Sequence, residues 1–306
     1  MNRTRKSILT LLLLLLPLTL IQADVLQGGE GGDQGSGPAL GTLLFSLKYG
    51  LALIFVIGGT ALIWIGKMNK TLRIVLMTLI FIIFGGIVIG VHPSPVCATT
   101  KPLVYGLRNP FLAMLIFIGA VSLLANKSFC AMACPGGALQ ELIYRLPLKK
   151  RKNRKPKVAF RVSNTVRSIM AGLYLLLAIV AGISIFEYIN FFEIFHWTIP
   201  EGTLLLITLG LVITAVLIVS AFLYRPFCYF LCPMGLLTWL VEQIGLSRIN
   251  LDRATCTDCQ ICVHVSPCPS VEGILEGKKI RGDCHLCGDC IESCPEDSLS
   301  FGFRKG

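Results

Sequence analysis

Cys284-x2-Cys287-x2-Cys290-x3-Cys294-Pro295 lies near the carboxyl end of the chain, and a similar run, Cys256-x2-Cys259-x2-Cys262-x5-Cys268-Pro269, lies just before it. Together the two runs contain eight of the thirteen cysteines of the chain. Three closely spaced thiolates, followed by a fourth that precedes proline, are typical ligands of [4Fe–4S] clusters. The two runs therefore predict an α+β module over residues 248–306 that binds two such clusters.

The fourth cysteine of each run has a particular role in ferredoxins of the bacterial type, because it binds the cluster of the other run. The sequence therefore predicts a bacterial-type ferredoxin module with crossed ligand sets. Zinc is the alternative, since four thiolates also suit zinc, but zinc sites usually pair two Cys-x2-Cys halves across a longer gap. The predicted sets are Cys256, Cys259, Cys262 and Cys294 for the first cluster, and Cys284, Cys287, Cys290 and Cys268 for the second.

The first run departs from the usual spacing, because five residues instead of three separate Cys262 from Cys268. His264 lies in this longer loop, and His285 lies inside the second run. Both histidines are alternative ligands. The other interpretation is that they are exposed or pack near a sulfur atom.

The rest of the chain is strongly apolar. Hydrophobic residues make up 54% of the 306 residues, charged residues make up 15%, and the mean hydropathy is +0.73. Soluble domains contain about 25% charged residues, and a membrane helix needs about 20 apolar residues. We therefore expect an α-helical membrane bundle of four or five transmembrane helices over residues 43–247. The predicted stretches are 43–66, 71–91, 110–126, 166–186 and 202–224.

Positive charge is concentrated in short segments between these stretches. The net charge is +11, and residues 149–157 contain seven lysines and arginines. Further cations are Lys67, Lys70 and Arg73 after the first stretch and Arg225 after the fifth. Cytoplasmic loops of membrane proteins are enriched in such residues. This pattern predicts an inner-membrane, multi-pass protein whose ferredoxin module faces the cytoplasm, and it favours contact with membrane lipid over nucleic-acid binding.

The amino terminus has features of a targeting segment. Residues 1–23 combine a basic start with a leucine-rich stretch and a small residue, Ala23, at the end. This pattern predicts a cleaved signal peptide, with a retained signal anchor as the alternative. Residues 24–42 are polar and rich in glycine, so we expect a flexible segment outside the membrane.

The apolar region contains an internal repeat. The segment 127–135, KSFCAMACP, recurs as RPFCYFLCP at 225–233, and each copy is followed by an amphipathic segment, 136–147 or 234–246. Two copies that run in the same direction predict halves related by an axis along the membrane normal. We therefore expect the two copies to face each other at this axis.

Each copy of the repeat contains a Cys-x3-Cys-Pro motif. The spacing places both sulfur atoms on one face of a helix, and proline disfavours helical backbone at the cysteine before it. Two such breaks that meet at the axis would bring four cysteines together: Cys130, Cys134, Cys228 and Cys232. They are expected to bind a third iron–sulfur or metal centre, to form redox-active thiol pairs, or to be unligated packing cysteines.

Two Cys-x3-Cys-Pro motifs followed by a two-cluster ferredoxin module resemble the NapH/NosR-type membrane ferredoxins over roughly residues 45–300. The resemblance implies an electron-transfer subunit that passes electrons from the quinol pool toward a redox partner of a respiratory reductase system. The related CcoG-type proteins share these motifs, and for them the implied role is copper reduction during assembly of a respiratory oxidase. A redox sensor without catalytic activity is a third interpretation.

An aromatic segment at 186–197 lies in one of the predicted outer loops. It is interpreted either as an interfacial belt or as a quinol pocket, in which Glu187, Glu193 or His196 accepts protons. Cys97, in the other outer loop, is the cysteine outside all three sets. Its alternatives are an inert thiol, a thiol that pairs with a partner, and a ligand of a metal or cofactor. The glycine-rich residues 28–37 follow no predicted strand, so a nucleotide site is not expected.

Overall fold

The computed structural model describes residues 38–87, 99, 110–146, 158–181, 189–195 and 203–304. Within these residues the fold is mostly helical, with one two-stranded sheet near the carboxyl end. The α-helices are α1 (Pro38–Trp64), α2 (Lys70–Ile82), α3 (Pro110–Ala125), α4 (Ser128–Met132), α5 (Pro135–Arg145), α6 (Phe160–Ala181), α7 (Thr203–Ser220), α8 (Pro226–Phe230), α9 (Pro233–Ile244), α10 (Ile261–Val265), α11 (Ser270–Leu275) and α12 (Asp289–Glu292). A π-helical turn (Ile83–Ile87), a 3-10 turn (Phe191–Phe195) and the strands β1 (Ser247–Leu251) and β2 (Leu299–Phe303) complete the described elements.

The expected membrane bundle is wrong for the part of the chain that the structure describes. None of the helices in it is both long and apolar enough to cross a membrane. The predicted stretches 71–91 and 110–126 form helices of only 13 and 16 residues, whereas a membrane span needs about 20. Helix α6 carries Arg161 and Arg167 in its first half. The signal segment 1–23 lies outside the described residues.

The internal repeat forms two equivalent helical units. Helices α4 and α5 form the first unit, and α8 and α9 form the second. In each unit a proline begins the longer helix, and the cysteine before it has extended backbone, with φ/ψ of −83°/113° at Cys134 and −77°/113° at Cys232. This is the helix break that the prolines predict, because proline suits the first helical position and disfavours helical backbone at the residue before it. Helix α2 packs against α5, and α6 packs against α8 and α9.

The carboxyl-terminal module has the expected α+β organisation, in which strands β1 and β2 enclose the three short helices α10 to α12 in the chain. The strands pair antiparallel, with Ser247 opposite Phe303 and Leu251 opposite Leu299. The ring of Trp64 at the end of α1 lies edge-on to Phe301 and Phe303 of β2, at 5.6 and 5.0 Å between centroids. These aromatic contacts attach the module to the helical part of the chain.

Three aromatic residues of the segment 186–197 lie inside the protein instead of on an outer belt. Phe191, Phe192 and Phe195 in the 3-10 turn are all buried. The rings of Phe191 and Phe192 lie 5.4 and 6.0 Å from the ring of Phe227 in α8, between centroids. The belt interpretation is therefore wrong for these three residues, because their rings fill space between the repeat units.

Candidate functional site

The structure brings the four cysteines of the two repeat units together at one cavity, here called the repeat site. The cavity has about 430 Å³ of empty volume, and its wall also includes Lys127, Phe192 and His285. Cys134 and Cys232 are buried, and the other two cysteines are half-buried. The cysteines of the repeat site are Cys130, Cys134, Cys228 and Cys232.

Each repeat unit sends a cation across to the other unit. Arg225 begins the second unit, and its Nη1 donates a hydrogen bond of 2.7 Å to the carbonyl of Cys130 in the first. Its counterpart Lys127 in the first unit donates through Nζ to the carbonyl of Gly235 in the second, at 3.1 Å. The two cations occupy equivalent positions of the repeat and each crosses to the other unit, although their acceptors, Cys130 and Gly235, are not equivalent positions.

The glycines that follow the two Cys-Pro pairs leave room for neighbouring atoms to lie close to the backbone of the longer helices. A Cβ atom on Gly137 would lie 2.9 Å from Nη1 of Arg225, and a Cβ atom on Gly235 would lie 2.7 Å from the carbonyl oxygen of Cys228. No real Cβ atom tolerates 2.7 Å to a backbone oxygen. Glycine is therefore required at position 235 because the backbone of the cysteine helix passes so close.

A buried carboxylate, Glu141, supports the first unit from behind the cavity. Arg73 donates to its two oxygens at 2.9 and 3.1 Å, and Arg225 donates at 2.6 and 3.1 Å. Arg145 and the hydroxyl of Tyr224 donate to the same carboxylate at 3.0 and 2.8 Å. Burial by itself would raise the pKa of Glu141, but Arg73 and Arg225 outweigh it and hold this pKa well below its usual range.

A second buried carboxylate, Asp283, has the same role in the second unit. It pairs with Lys127, and its Oδ2 lies 3.0 Å from Nη1 of Arg167. Asp283 immediately precedes Cys284, so the pair also joins the ferredoxin module to the repeat units. The sequence pattern predicted neither carboxylate and placed Arg73 and Arg225 among the loop cations, although the structure buries both cations completely. For Arg225 and Glu141, a charge within an apolar stretch was the available signal.

The donor set of the repeat site suits an anionic cluster. Burial raises the pKa of Cys228 to about 11, although Arg225 and Lys127 oppose this shift. Binding of a metal centre requires thiolates and releases their protons. The cations around the cavity would stabilise the negative charge of four thiolates, so the residues present fit an iron–sulfur cluster.

A further candidate centre, here called the first ferredoxin site, surrounds a cavity with about 350 Å³ of empty volume. The thiol groups of Cys256, Cys259, Cys262 and Cys294 all line it. Three of these come from the first run, and Cys294 comes from the second run, which is the crossed arrangement that the sequence predicts. Cys259 is exposed and Cys262 is buried, so this site opens to the surface on one side.

Another candidate centre, here called the second ferredoxin site, is enclosed. Its cysteines are each no more than 4% exposed, and burial, with a smaller effect of neighbouring thiols, holds the pKa of Cys284 and of Cys290 well above the usual range. The hydroxyl of Ser266 lies 3.3 Å from the sulfur of Cys268. The side chain of Cys268 is also within hydrogen-bond reach of Cys287, so the longer loop of the first run still brings its last cysteine to this site. The members are Cys268, Cys284, Cys287 and Cys290.

The candidate sites differ from a site for a single metal ion. Among the residues with described coordinates, no group of three or more His, Cys, Asp or Glu side chains could hold a metal ion. A [4Fe–4S] cluster has one cysteine on each of four irons, so its ligands stand further apart than the ligands of a single ion.

The two histidines of the module have different environments. His264 is exposed, whereas His285 is only 2% exposed and lies in the wall of the repeat site. Of the predicted proton acceptors, Glu193 is half-buried and accepts a hydrogen bond of 2.6 Å from Asn190. Glu187, His196 and Cys97 lie outside the described residues.

Comparison with known proteins connects this geometry to a family. A family described as a 4Fe-4S binding domain matches residues 109–154 and 204–251, which contain the two repeat units. Ferredoxin-type protein NapH of Haemophilus influenzae is 28% identical over 63% of this chain and 67% of its own length. Regulatory protein NosR of Pseudomonas aeruginosa is 31% identical over 60% of this chain and 26% of its own length.

The matched domain and these two relatives support a place for this chain in the NapH/NosR-type polyferredoxin family. Another relative in the comparison is the putative electron transport protein YccM of Escherichia coli, which is 28% identical over 63% of this chain. The chain spans 56% of the length of YccM. No solved structure matches this chain.

Proposed function

We propose that this polyferredoxin is an electron-transfer protein with three iron–sulfur centres, which passes electrons between quinol and a redox partner of a respiratory reductase system. The observation that carries the proposal is the meeting of four cysteines at the repeat site. The 4Fe-4S binding domain matches the two repeat units that supply them. The names of the relatives NapH and YccM, a ferredoxin-type protein and a putative electron transport protein, support the same function.

The three sets of cysteines follow one another through the protein. His285 lines the repeat site and stands in the chain between Cys284 and Cys287 of the second ferredoxin site. Helix α10, which carries Cys262 of the first ferredoxin site, packs against α12, which carries Cys290 of the second. The order of sites is therefore repeat site, second ferredoxin site and first ferredoxin site.

This order suits transport of charge between the interior and the surface. Iron–sulfur clusters accept and donate single electrons when they are bound. The chain contributes the thiolates, the cations Lys127 and Arg225 beside the innermost set, and burial that excludes water from the second ferredoxin site. The exposed Cys259 marks the end at which a soluble redox partner would dock.

The quinol part of the proposal rests on the segment beside the repeat site. Phe192 lines the repeat-site cavity, and Glu193 follows it in the chain. Oxidation of quinol releases protons, and a carboxylate at this point suits a proton acceptor. Glu187 and His196 are further proposed acceptors. Because quinol is dissolved in the bilayer, we place the protein at the inner membrane, with the ferredoxin module toward the reducing cytoplasm.

Iron and acid-labile sulfide analysis of anaerobically purified protein tests the number of centres. We expect about twelve irons in the wild-type protein and about eight in Cys130→Ser and Cys228→Ser, which keep both ferredoxin sites. Cys97→Ser is the matched control, since Cys97 belongs to none of the three sets, and it should keep about twelve. About eight irons in the wild-type protein would contradict a centre at the repeat site.

Stopped-flow absorbance tests the electron donor. Addition of a short-chain quinol should bleach the cluster absorbance of the wild-type protein, and Cys228→Ser should slow this bleaching strongly. Glu193→Gln should slow reduction by quinol but leave reduction by dithionite unchanged, because dithionite needs no proton acceptor. Equal rates for all three proteins with quinol would exclude quinol oxidation at the repeat site.

A further inference from the structure

His285 connects two of the candidate centres. It stands between Cys284 and Cys287 of the second ferredoxin site in the chain, yet its side chain lines the repeat site. Its ring lies 4.9 Å from the ring of Tyr229 and 5.8 Å from the ring of Tyr224, between centroids. The histidine is therefore fixed between aromatic rings at the boundary of the two centres.

Two polar atoms at this boundary lack partners among the described residues. His285 is 98% buried, and its Nδ1 has no hydrogen-bond partner among the described residues. The hydroxyl of Tyr229 is likewise buried without a partner in the described part of the chain. Buried polar atoms are nearly always hydrogen-bonded, and an exception in a folded protein often indicates a bound group. This unpartnered Nδ1 thus indicates an acceptor supplied by a ligand of the cavity.

We propose that His285 donates a hydrogen bond through Nδ1 to a sulfur atom of the cluster at the repeat site. This inference rests on the iron–sulfur centre proposed there. An imidazole ring carries at least one N–H, and sulfur atoms of clusters accept such bonds. The bond stabilises the reduced cluster, which carries one more negative charge, and so raises its reduction potential. His285 is a positioning and tuning residue in this scheme, and the four cysteines remain the ligands.

The location of His285 in the ferredoxin loop gives this bond a second consequence. The loop that carries Cys284 and Cys287 also carries the residue that sets the potential of the neighbouring centre. The repeat site therefore acquires its working potential only when the ferredoxin module is docked. Arg73 Nη1 holds the same loop, with a hydrogen bond of 3.2 Å to the carbonyl of Leu286.

The test uses the full-length, anaerobically purified protein with ¹⁵N-labelled histidine. Pulsed EPR during a redox titration should show a ¹⁵N coupling on one of the three reduced centres. His264→Gln, which changes an exposed histidine, should keep the coupling, and His285→Phe should lose it. In His285→Phe the potential of this centre should fall by the equivalent of about tenfold in the one-electron equilibrium constant, about 59 mV.

His285→Asn provides a rescue, because its side-chain amide keeps a donor close to the position of Nδ1. It should lose the ¹⁵N coupling but retain most of the wild-type potential. About twelve irons without ¹⁵N coupling in the wild-type protein would overturn this inference and leave the proposed function intact. About eight irons in the wild-type protein would instead overturn the centre proposed at the repeat site, and this inference with it. The wild-type measurement decides the question even if a variant fails to fold.

Discussion

Replacement of Glu141 by glutamine is the most demanding test of the buried charge arrangement. The carboxylate accepts hydrogen bonds from Arg73, Arg145, Arg225 and Tyr224, and both Arg73 and Arg225 are fully buried. Glutamine has nearly the same shape, so the change removes the charge and creates no cavity. Two buried guanidinium groups then lose their counter-charge, and the amide nitrogen meets donors where an acceptor is needed.

The expected cost follows from the burial of these groups. Removal of one partner of a buried ion pair costs about 3–5 kcal/mol, because the other charge stays in the interior without compensation. An entropy of unfolding of about 2.1 cal/mol/K per residue, taken over this chain, converts that loss into a fall of about 5–8 °C in the melting temperature. Glu141 has several partners, so we expect a result at or above this range.

The measurement is thermal unfolding of anaerobic protein, followed by circular dichroism at one scan rate. Glu276→Gln is the matched control, because Glu276 pairs with Lys278 on the surface, with 54% and 62% of their side chains exposed. Exposed pairs of this kind contribute about 0–1 kcal/mol. If Glu141→Gln lowered the melting temperature no more than Glu276→Gln does, the carboxylate would not be a structural centre of the repeat units.

Three further outcomes are expected from the geometry. Gly235→Ala should lower the free energy of unfolding by about 1–3 kcal/mol and lower the iron content, because the added Cβ would meet the Cys228 carbonyl. The control is Gly210→Ala, whose Cβ meets no neighbouring atom, and it should leave this free energy unchanged or raise it. Urea unfolding measures both variants. A chelator should remove iron from the first ferredoxin site before the second ferredoxin site, because Cys259 of the first site is exposed. Simultaneous loss of both cluster signals in EPR time courses would contradict this order. Trp64→Ala should lower the free energy of unfolding by about 1–3 kcal/mol, because it removes two aromatic contacts with β2. Limited proteolysis should then release the ferredoxin module faster. An unchanged cleavage rate would refute the role of Trp64 in attaching the module.

The local features of the sites were predictable because their causes are local. The cysteine spacing of the two runs indicated the crossed ligand sets, and the structure places Cys294 in one cavity with the first three cysteines of the other run. Pro135 and Pro233 indicated the helix breaks, since proline restricts the backbone of the residue before it. The similarity of the two repeat units indicated that they would face each other.

The sequence alone therefore predicted the cysteine sets and determined where the backbone breaks, because both are indicated by spacing within a few residues. Tertiary structure decided the lengths of α2 and α7, which the apolar stretches 71–91 and 202–224 overestimated. It also decided the partners of the cations. Arg73 and Glu141 are 68 residues apart in the chain, and no local pattern shows that they meet. The position of His285 at the repeat site is of the same kind, since it depends on how the ferredoxin module docks against the repeat units.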